Sequence, residues 1–332
     1  MMFYSVKKIW KPQIFQGHNR KDHYFEGWYY KLVDGEQKQV IALIPGIALH
    51  EKKSDSHAFI QVFNSASSTA QYHRYPLSSF TASKTGLDVK IGQSRFAADS
   101  IELNIDTEEG RVSGNIGLSD FTPWPVRCFR PGFMGWYEFV PFMQCYHAVV
   151  SFDHPISGTI YLGDTSISLK NGRGYVEKDW GTSFPQAWIW MQSNHFEEKA
   201  ASFMCSLATI PWLGSYFTGF GAGFWYRNKL YPFTKWNGSR VENLTVTDKK
   251  TSFSLIHTHH RIDITATGEE AGELRSPVFG EMAGKVLESL KGEIEIVFSC
   301  FENGKWKEEY SGIGRNGGLE IMGDMNKLIK GF

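Results

Sequence analysis

Two carboxylates, a lysine and three tryptophans crowd the short stretch 174–192: Glu177, Lys178, Asp179 and Trp180, then Trp188 and Trp190 ahead of Gln192. Charged side chains are rarely buried without a partner, so this mixture calls for an explanation. An aromatic-lined cavity holding a few ionisable groups supplies one. Such a cavity would suit an apolar substrate that becomes cationic during reaction, because the face of an indole ring attracts a cation. A second cluster of an acid among aromatics lies near the start, Phe25-Glu26-Gly27-Trp28-Tyr29-Tyr30.

Strands must position these groups, and in a strand alternate side chains share a face. Glu26, Trp28 and Tyr30 then fall on one face. Trp188, Trp190 and Gln192 share a face of their own strand, with Ile189 and Met191 opposite. Tyr175, Glu177 and Asp179 point together, away from Lys178 and Trp180. This reading lets Glu26 and the Trp188/Trp190 pair line one cavity, with 177–180 at its rim or floor. The rest of the chain is mainly β. Residues 28–33 and 39–44 flank an Asp34-Gly35 turn, and 220–226 and 230–234 flank Arg227-Asn228-Lys229. Many short strands predict a barrel or a sandwich. Helix is expected only over 280–290, stopped by Gly292, and briefly within 132–146.

At 332 residues the chain favours two domains, 1–165 and 166–332, divided after a proline-rich centre. The formal net charge is zero, which gives no long-range attraction to nucleic acid or to an anionic membrane. The four cysteines form no CxxC pair, so no zinc site is expected. The first twelve residues lack the apolar run of a signal peptide, and a cytoplasmic protein with reduced thiols follows. No charged residue occurs from Ala200 to Tyr226, yet one proline and four glycines interrupt that stretch. Two buried strands joined by Pro211-Trp212-Leu213-Gly214 fit it better than a membrane span.

Other chemistries find no support in the sequence. There is no Gly-x-Ser-x-Gly elbow, P-loop or His-Glu-x-x-His. Gly219, Gly221 and Gly223 sit inside a strand-like run rather than between a strand and a helix, which argues against a nucleotide site. His257, His259 and His260 have no nearby cysteine or carboxylate to complete a metal set, so no metal is expected. His57 begins a strand and could reach a pocket as a hydrogen-bond partner or stay at a loop end.

The segment around Glu177-Lys178-Asp179-Trp180-Gly181, together with Phe25–Tyr30 and the weaker Leu274-Arg275-Ser276-Pro277, resembles the signatures of the tocopherol cyclase-like family. The anchors keep the family's order and span most of the chain. A departure lies at Asp179, where the family often has Asn; it adds an ionisable group. The resemblance implies two lipocalin-like antiparallel β-barrel or β-sandwich domains. It also implies cofactor-independent cyclisation of a prenylated phenol or quinol: a proton adds to a trisubstituted alkene, and the phenolic oxygen traps the tertiary cation as a chromanol.

That chemistry requires an acid kept protonated by desolvation, a wall that stabilises the cation, and exclusion of water. Glu26 and Asp179 are the favoured acids, with Glu177 a third. Each has a bland counterpart: Glu26 could pair with Lys178, and Asp179 could cap a turn. Lys178 could orient the phenol. Trp28, Tyr30, Trp180, Trp188, Trp190, His57 and Gln192 are the candidate substrate contacts. Trp28, Tyr30 and the other tryptophans could equally be core. The partner is then a hydrophobic prenylated or polyene molecule, with room for peripheral membrane contact. The competing readings are a carrier that uses the same cavity with its carboxylates paired, and an isoprenoid alkene hydratase. A carboxyl without a cationic partner would favour the enzyme, and one locked to Lys178 would favour the carrier. Oligomeric state is not legible.

Overall fold

The computed structural model describes residues 8–67, 70–141, 143–198, 201–212, 214–269 and 271–332. The described chain is mostly antiparallel strand, as its β-branched and aromatic residues predict. It divides into two compact units, Met1–Phe184 with Glu273–Lys285, and Pro185–Gly272 with Val286–Phe332.

The first unit begins with β1 (Tyr24–Val33), β2 (Val40–Leu49), β3 (His57–Asn64), β4 (Gln71–Pro76) and β5 (Phe80–Ala82). It continues with β6 (Asp88–Ile91), β7 (Ser94–Ala97), β8 (Ser100–Thr107) and β9 (Gly110–Leu118). A small ribbon, β10 (Val126–Arg127) and β11 (Arg130–Pro131), precedes β12 (Cys145–Leu162), β13 (Thr165–Ser168) and β14 (Gly172–Gly181). Twelve of these strands form one sheet in the order β4-β3-β2-β1-β14-β12-β9-β8-β7-β6-β5, with β13 added to β12. Its edge strands β4 and β5 do not pair, so the sheet is not a closed barrel. Ile60 of β3, Trp28 of β1, Val176 of β14 and Val89 of β6 nevertheless share one apolar core, so the two arms of the sheet close over the same interior. The Asp34 turn forms where expected: its carboxylate accepts from the backbone N–H groups of Glu36, Lys38 and Gln39.

The division after Phe184 corrects the expected boundary near 165. Strand β14 is hydrogen-bonded along its length to β1 on one side and β12 on the other, so the Glu-Lys-Asp-Trp-Gly segment belongs to the first unit. The proline-rich centre lies within the first unit, with Pro131 in β11 and Pro155 in β12. Gly181 ends β14 with φ 153°, and a Cβ there would lie 2.2 Å from the Gln144 carbonyl oxygen.

The second unit holds β15 (Ala187–Ser193), β16 (Ser202–Trp212), β17 (Ser215–Tyr226), β18 (Lys229–Thr234) and β19 (Arg240–Val246). After these come β20 (Lys250–His257), β21 (His260–Thr267), β22 (Ala271–Val278), β23 (Glu281–Glu302) and β24 (Lys305–Gly323), of which residues 273–285 of β22 and β23 are grouped with the first unit. The sheet runs β18-β17-β16-β15-β24-β23-β21-β20-β19, with β22 paired to β23. Ile189, Met191, Phe203, Leu207, Phe224 and Phe298 lead its core. The uncharged stretch forms β16 and β17, paired in register from Ser202↔Trp225 to Trp212↔Ser215; Leu213 lies outside the described residues. The β17–β18 turn places Arg227 and Asn228 at positive φ, the geometry of a tight hairpin. A five-residue helix, α1 (Met325–Ile329), follows β24, with Asp324 accepting from the Lys327 N–H.

The helix expected over 280–290 is absent; β23 occupies it. Met282 and Val286 are buried while Glu281, Lys285 and Leu287 are exposed, a period of two that a strand satisfies and a helix does not. Within 132–146 the helical part is a single 3₁₀ segment, Gly135–Phe139, before the chain enters β12. No helix among the described residues is long and apolar enough to cross a membrane.

Candidate active site

Glu26 stands opposite Trp180, and Trp28 opposite Lys178, across the β1–β14 pair. These side chains point into the core of the first unit. The Lys178 ammonium lies 2.6 Å from a Glu26 carboxylate oxygen, and both side chains are fully buried. Its other protons go to the carbonyls of Pro12, 2.8 Å away, and Ile14, 2.6 Å away. Glu26 also accepts from the backbone N–H groups of Gln16 and Gly17 and from the Tyr24 hydroxyl. The ammonium sits 4.5 Å from the Trp180 ring centroid and 5.0 Å from that of Trp28. Burial lowers the Lys178 pKa, and Glu26 opposes that shift. The aromatic box inferred for a substrate cation is therefore filled by the protein's own cation. Tyr30, on the same face, packs against Phe96, and burial pushes its hydroxyl pKa far up.

The opposite face of β14 carries a different arrangement. Tyr175, Glu177 and Asp179 point together, and β12 adds His147 directly opposite Asp179. His147 Nδ1 is 2.8 Å from Asp179 Oδ1, and its Nε2 is 3.5 Å from Glu177 Oε2. The Tyr175 hydroxyl donates to Glu177 at 2.6 Å, and the Cys145 thiol donates to Asp179 at 3.8 Å. Burial alone would depress the His147 pKa. Asp179 and Glu177, with a smaller contribution from Glu138, overcome it and carry the imidazole up to about 9. Phe133 covers the ring edge-on at 4.8 Å and is itself packed by Trp124, which stacks on Phe152.

Glu138, in the 3₁₀ segment that follows Phe133, is buried, and its Oε1 has no hydrogen-bond partner among the described residues. Burial raises its carboxyl pKa to about 8, against the opposing charges of Lys178 and His147. It is a carboxylic acid held protonated near neutrality without a bonded cation. The ligand atoms of His147, Glu177 and Asp179 lie within 4.8 Å of one another, close enough to hold a metal ion. Each imidazole nitrogen already faces a carboxylate, an arrangement that a proton also satisfies.

The remaining sequence candidates lie elsewhere. Trp188, Trp190 and Gln192 share the face of β15 that turns away from Ile189 and Met191. Trp188 donates its indole N–H to Glu320 at 2.5 Å, and Trp190 lies so close to Gly318 that a Cβ there would be 2.5 Å from the ring. These residues belong to the second unit and Glu26 to the first, so neither unit unites them in the single expected cavity. His57 hydrogen-bonds the Asp55 carbonyl at 2.8 Å and the Tyr72 hydroxyl at 2.7 Å, and burial lowers its pKa to about 4. His257 and His260 pair across the β20–β21 turn. A hollow of about 510 Å³ opens elsewhere in the first unit, lined by Asp88, Arg95, Asp99 and Phe121; Asp88 and Arg95 are bonded to each other.

Sequence reasoning passed over Glu138, while His147, beside aromatic residues, carried only a weak signal. A signal existed for the first: Glu138 is the only acidic or basic residue between Arg130 and His147, in a run rich in aromatics. For His147 the aromatic neighbours were the only local signal, because strand pairing alone brings it to Asp179.

The signature of the tocopherol cyclase-like family matches residues 121–323, which include β12, β14 and the Glu138 segment. The chain belongs to the tocopherol cyclase-like family. It is 28% identical over 148 residues to a probable chloroplastic tocopherol cyclase of Oryza sativa subsp. japonica, covering 43% of this chain and 31% of that protein. It is 23% identical over 184 residues to the chloroplastic tocopherol cyclase of Zea mays, covering 54% and 37%. The chain thus spans about a third of the length of these relatives. Among solved structures it resembles a protein described as AttH from Nitrosomonas europaea, with a TM-score of 0.55 and 14% identity over 92% of this chain and 94% of that one. CghA in complex with Sch210972 is similar at a TM-score of 0.54 and 10% identity, over 90% and 89%. Kievitone hydratase from Nectria haematococca follows at 0.50 and 11%, over 93% and 94%. At these identities the likeness is one of fold.

Proposed function

We propose that this tocopherol cyclase-like protein is an enzyme of the cyclase or hydratase type that protonates an alkene in a prenyl or polyene substrate. A prenylated phenol is the leading candidate. The observation that carries this reading is Glu138, a buried carboxyl with an orphaned oxygen and a pKa raised to about 8. An acid of that kind holds its proton at neutral pH and can give it to a weakly basic double bond.

The surroundings suit the cation that results. One imidazolium against two carboxylates leaves a negative charge in the His147–Asp179–Glu177 group. Phe133 and Trp124 add aromatic surface without a nucleophile. Attack by the phenolic oxygen forms the new C–O bond, and the phenolic proton returns to the Glu138 carboxylate. Substrate and product are then isomers, and no electron is exchanged. Glu26 and Lys178 serve this reading as the scaffold that holds β1 against β14.

The carrier remains the second reading, because the Glu26–Lys178 pair is the locked carboxylate expected of an inert cavity. Incubation with a phytyl-benzoquinol, followed by product mass and retention, separates the two. An isomeric chromanol lost in Glu138→Gln supports cyclisation. A product heavier by one water moves the assignment to a hydratase. Saturable binding without turnover, equal in wild type and Glu138→Gln, overturns the enzyme.

A further inference from the structure

The segment that covers His147 has a second side. Between Pro131 and Val140 burial alternates sharply: Phe133 and Glu138 turn inward, while Trp136 and Phe139 are 47% and 42% exposed. The adjoining ribbon β10–β11 carries Val126 at 43% exposure and, at its tip, Phe129 at 79%, the most exposed large apolar side chain among the described residues. Trp10 joins the two parts: its indole N–H donates to the Cys128 carbonyl at 2.8 Å, and its ring lies 5.6 Å from Phe139. Trp136 stacks on Tyr137 at 4.0 Å. The result is a contiguous apolar and aromatic ledge rather than scattered surface residues.

Its charge is one-sided. From Phe121 to Tyr137 the chain has two arginines, Arg127 and Arg130, and no acidic residue; exposed Lys11 follows Trp10. Tryptophan and phenylalanine beside arginine and lysine form the composition that settles at the boundary of a bilayer, the rings among the headgroups and the cations on anionic lipid.

We propose that the Val126–Pro131 ribbon and the Gly135–Phe139 segment dock on the surface of a membrane that carries anionic phospholipid. The same short stretch then faces lipid on its outside and the His147–Glu138 site on its inside. A prenylated substrate dissolved in the bilayer would meet the site without crossing water. That delivery role rests on the function proposed above, whereas the docking itself does not.

Flotation with vesicles of phosphatidylcholine, with and without phosphatidylglycerol, tests it. Binding should be stronger on the anionic vesicles and should weaken as salt rises. Arg127→Ala should weaken it about fivefold, in line with roughly 1 kcal/mol per surface cation. Phe129→Ser should weaken it about tenfold, from lost apolar burial. Glu138→Gln, which alters only the buried side, should dock like wild type even if it abolishes turnover; a failure of the catalytic reading thus leaves this result intact. Equal binding to neutral and anionic vesicles, or binding unchanged in both surface variants, would overturn the proposal. So would an absence of vesicle binding combined with a dimer that Phe129→Ser dissolves, which would assign the ledge to a second copy of the chain.

Discussion

The two faces of β14 make opposite uses of the same residue types. Toward the core, Lys178 meets Glu26, and every lysine proton and the carboxylate oxygens find partners. Away from the core, one residue to either side, Glu177 and Asp179 share a single imidazole, and nearby Glu138 keeps an unbonded oxygen. Both faces are low in water, so polarity alone does not separate them. What differs is closure. A fully matched ion pair resists any change in protonation, whereas a group with more acceptors than protons can exchange one. A buried carboxylate is therefore weak support for catalysis until its partners are counted.

Breaking the matched face should have the largest effect. Lys178→Met leaves the Glu26 carboxylate buried without its cation, and urea unfolding should report a loss of about 3–5 kcal/mol. The double variant Glu26→Gln/Lys178→Met should recover much of that loss. If the single variant costs under about 1 kcal/mol, the comparison between the faces collapses.

On the other face the cost should fall on rate. Glu138→Gln should reduce conversion of a prenylated hydroquinone at least about a hundredfold while moving the unfolding midpoint little. Wild-type activity should decline as pH rises through about 8, where Glu138 gives up its proton.

Within the network, Asp179→Asn removes the closest charge on His147. Its titration, followed by NMR of the ring protons, should shift downward from about 9 by a unit or more. An unchanged value would mean that Glu177 and Glu138 suffice.

Stability should carry the same signature. The Glu138 pKa rises from 4.5 to about 8 on folding, and that of His147 from 6.5 to about 9. Both groups bind protons more tightly in the folded state, so their contribution is complete below the unfolded values and is lost as pH climbs through the folded ones. From these two groups thermal midpoints should fall as pH rises from about 4.5 to about 9, and less steeply below about pH 8 in Glu138→Gln. The smallest effect is expected in the second unit: Trp188→Phe removes one hydrogen bond to Glu320 and should cost about 1–3 kcal/mol with no change in the His147 titration.

Much of the fold was legible. The Asp34 and Arg227-Asn228 turns, the β16–β17 pair and the face-sharing of Tyr175, Glu177 and Asp179 all follow from turn chemistry and a period of two. The helix expected over 280–290 failed because Glu281, Lys285 and Glu288 have good helix propensity, and pairing with β22 outweighed it. The site was legible in half. The sequence named Glu26 and Lys178 as each other's obvious partner but also as catalysts, and nothing local separates those outcomes.

Sequence by itself determined which residues could share a face, because alternation along a strand is a property of the backbone. It also determined the family, through motifs that survive where overall identity is low. Only the tertiary structure decided which face is closed and which is open to proton exchange. That depends on strands far apart in the chain: β12 brings His147 to Asp179, the loop after β11 brings Glu138 near it, and the 12–17 segment supplies the donors and acceptors that seal Glu26 and Lys178. Protonation follows from the full set of neighbours and from the water they exclude, and neither is a property of any stretch of sequence.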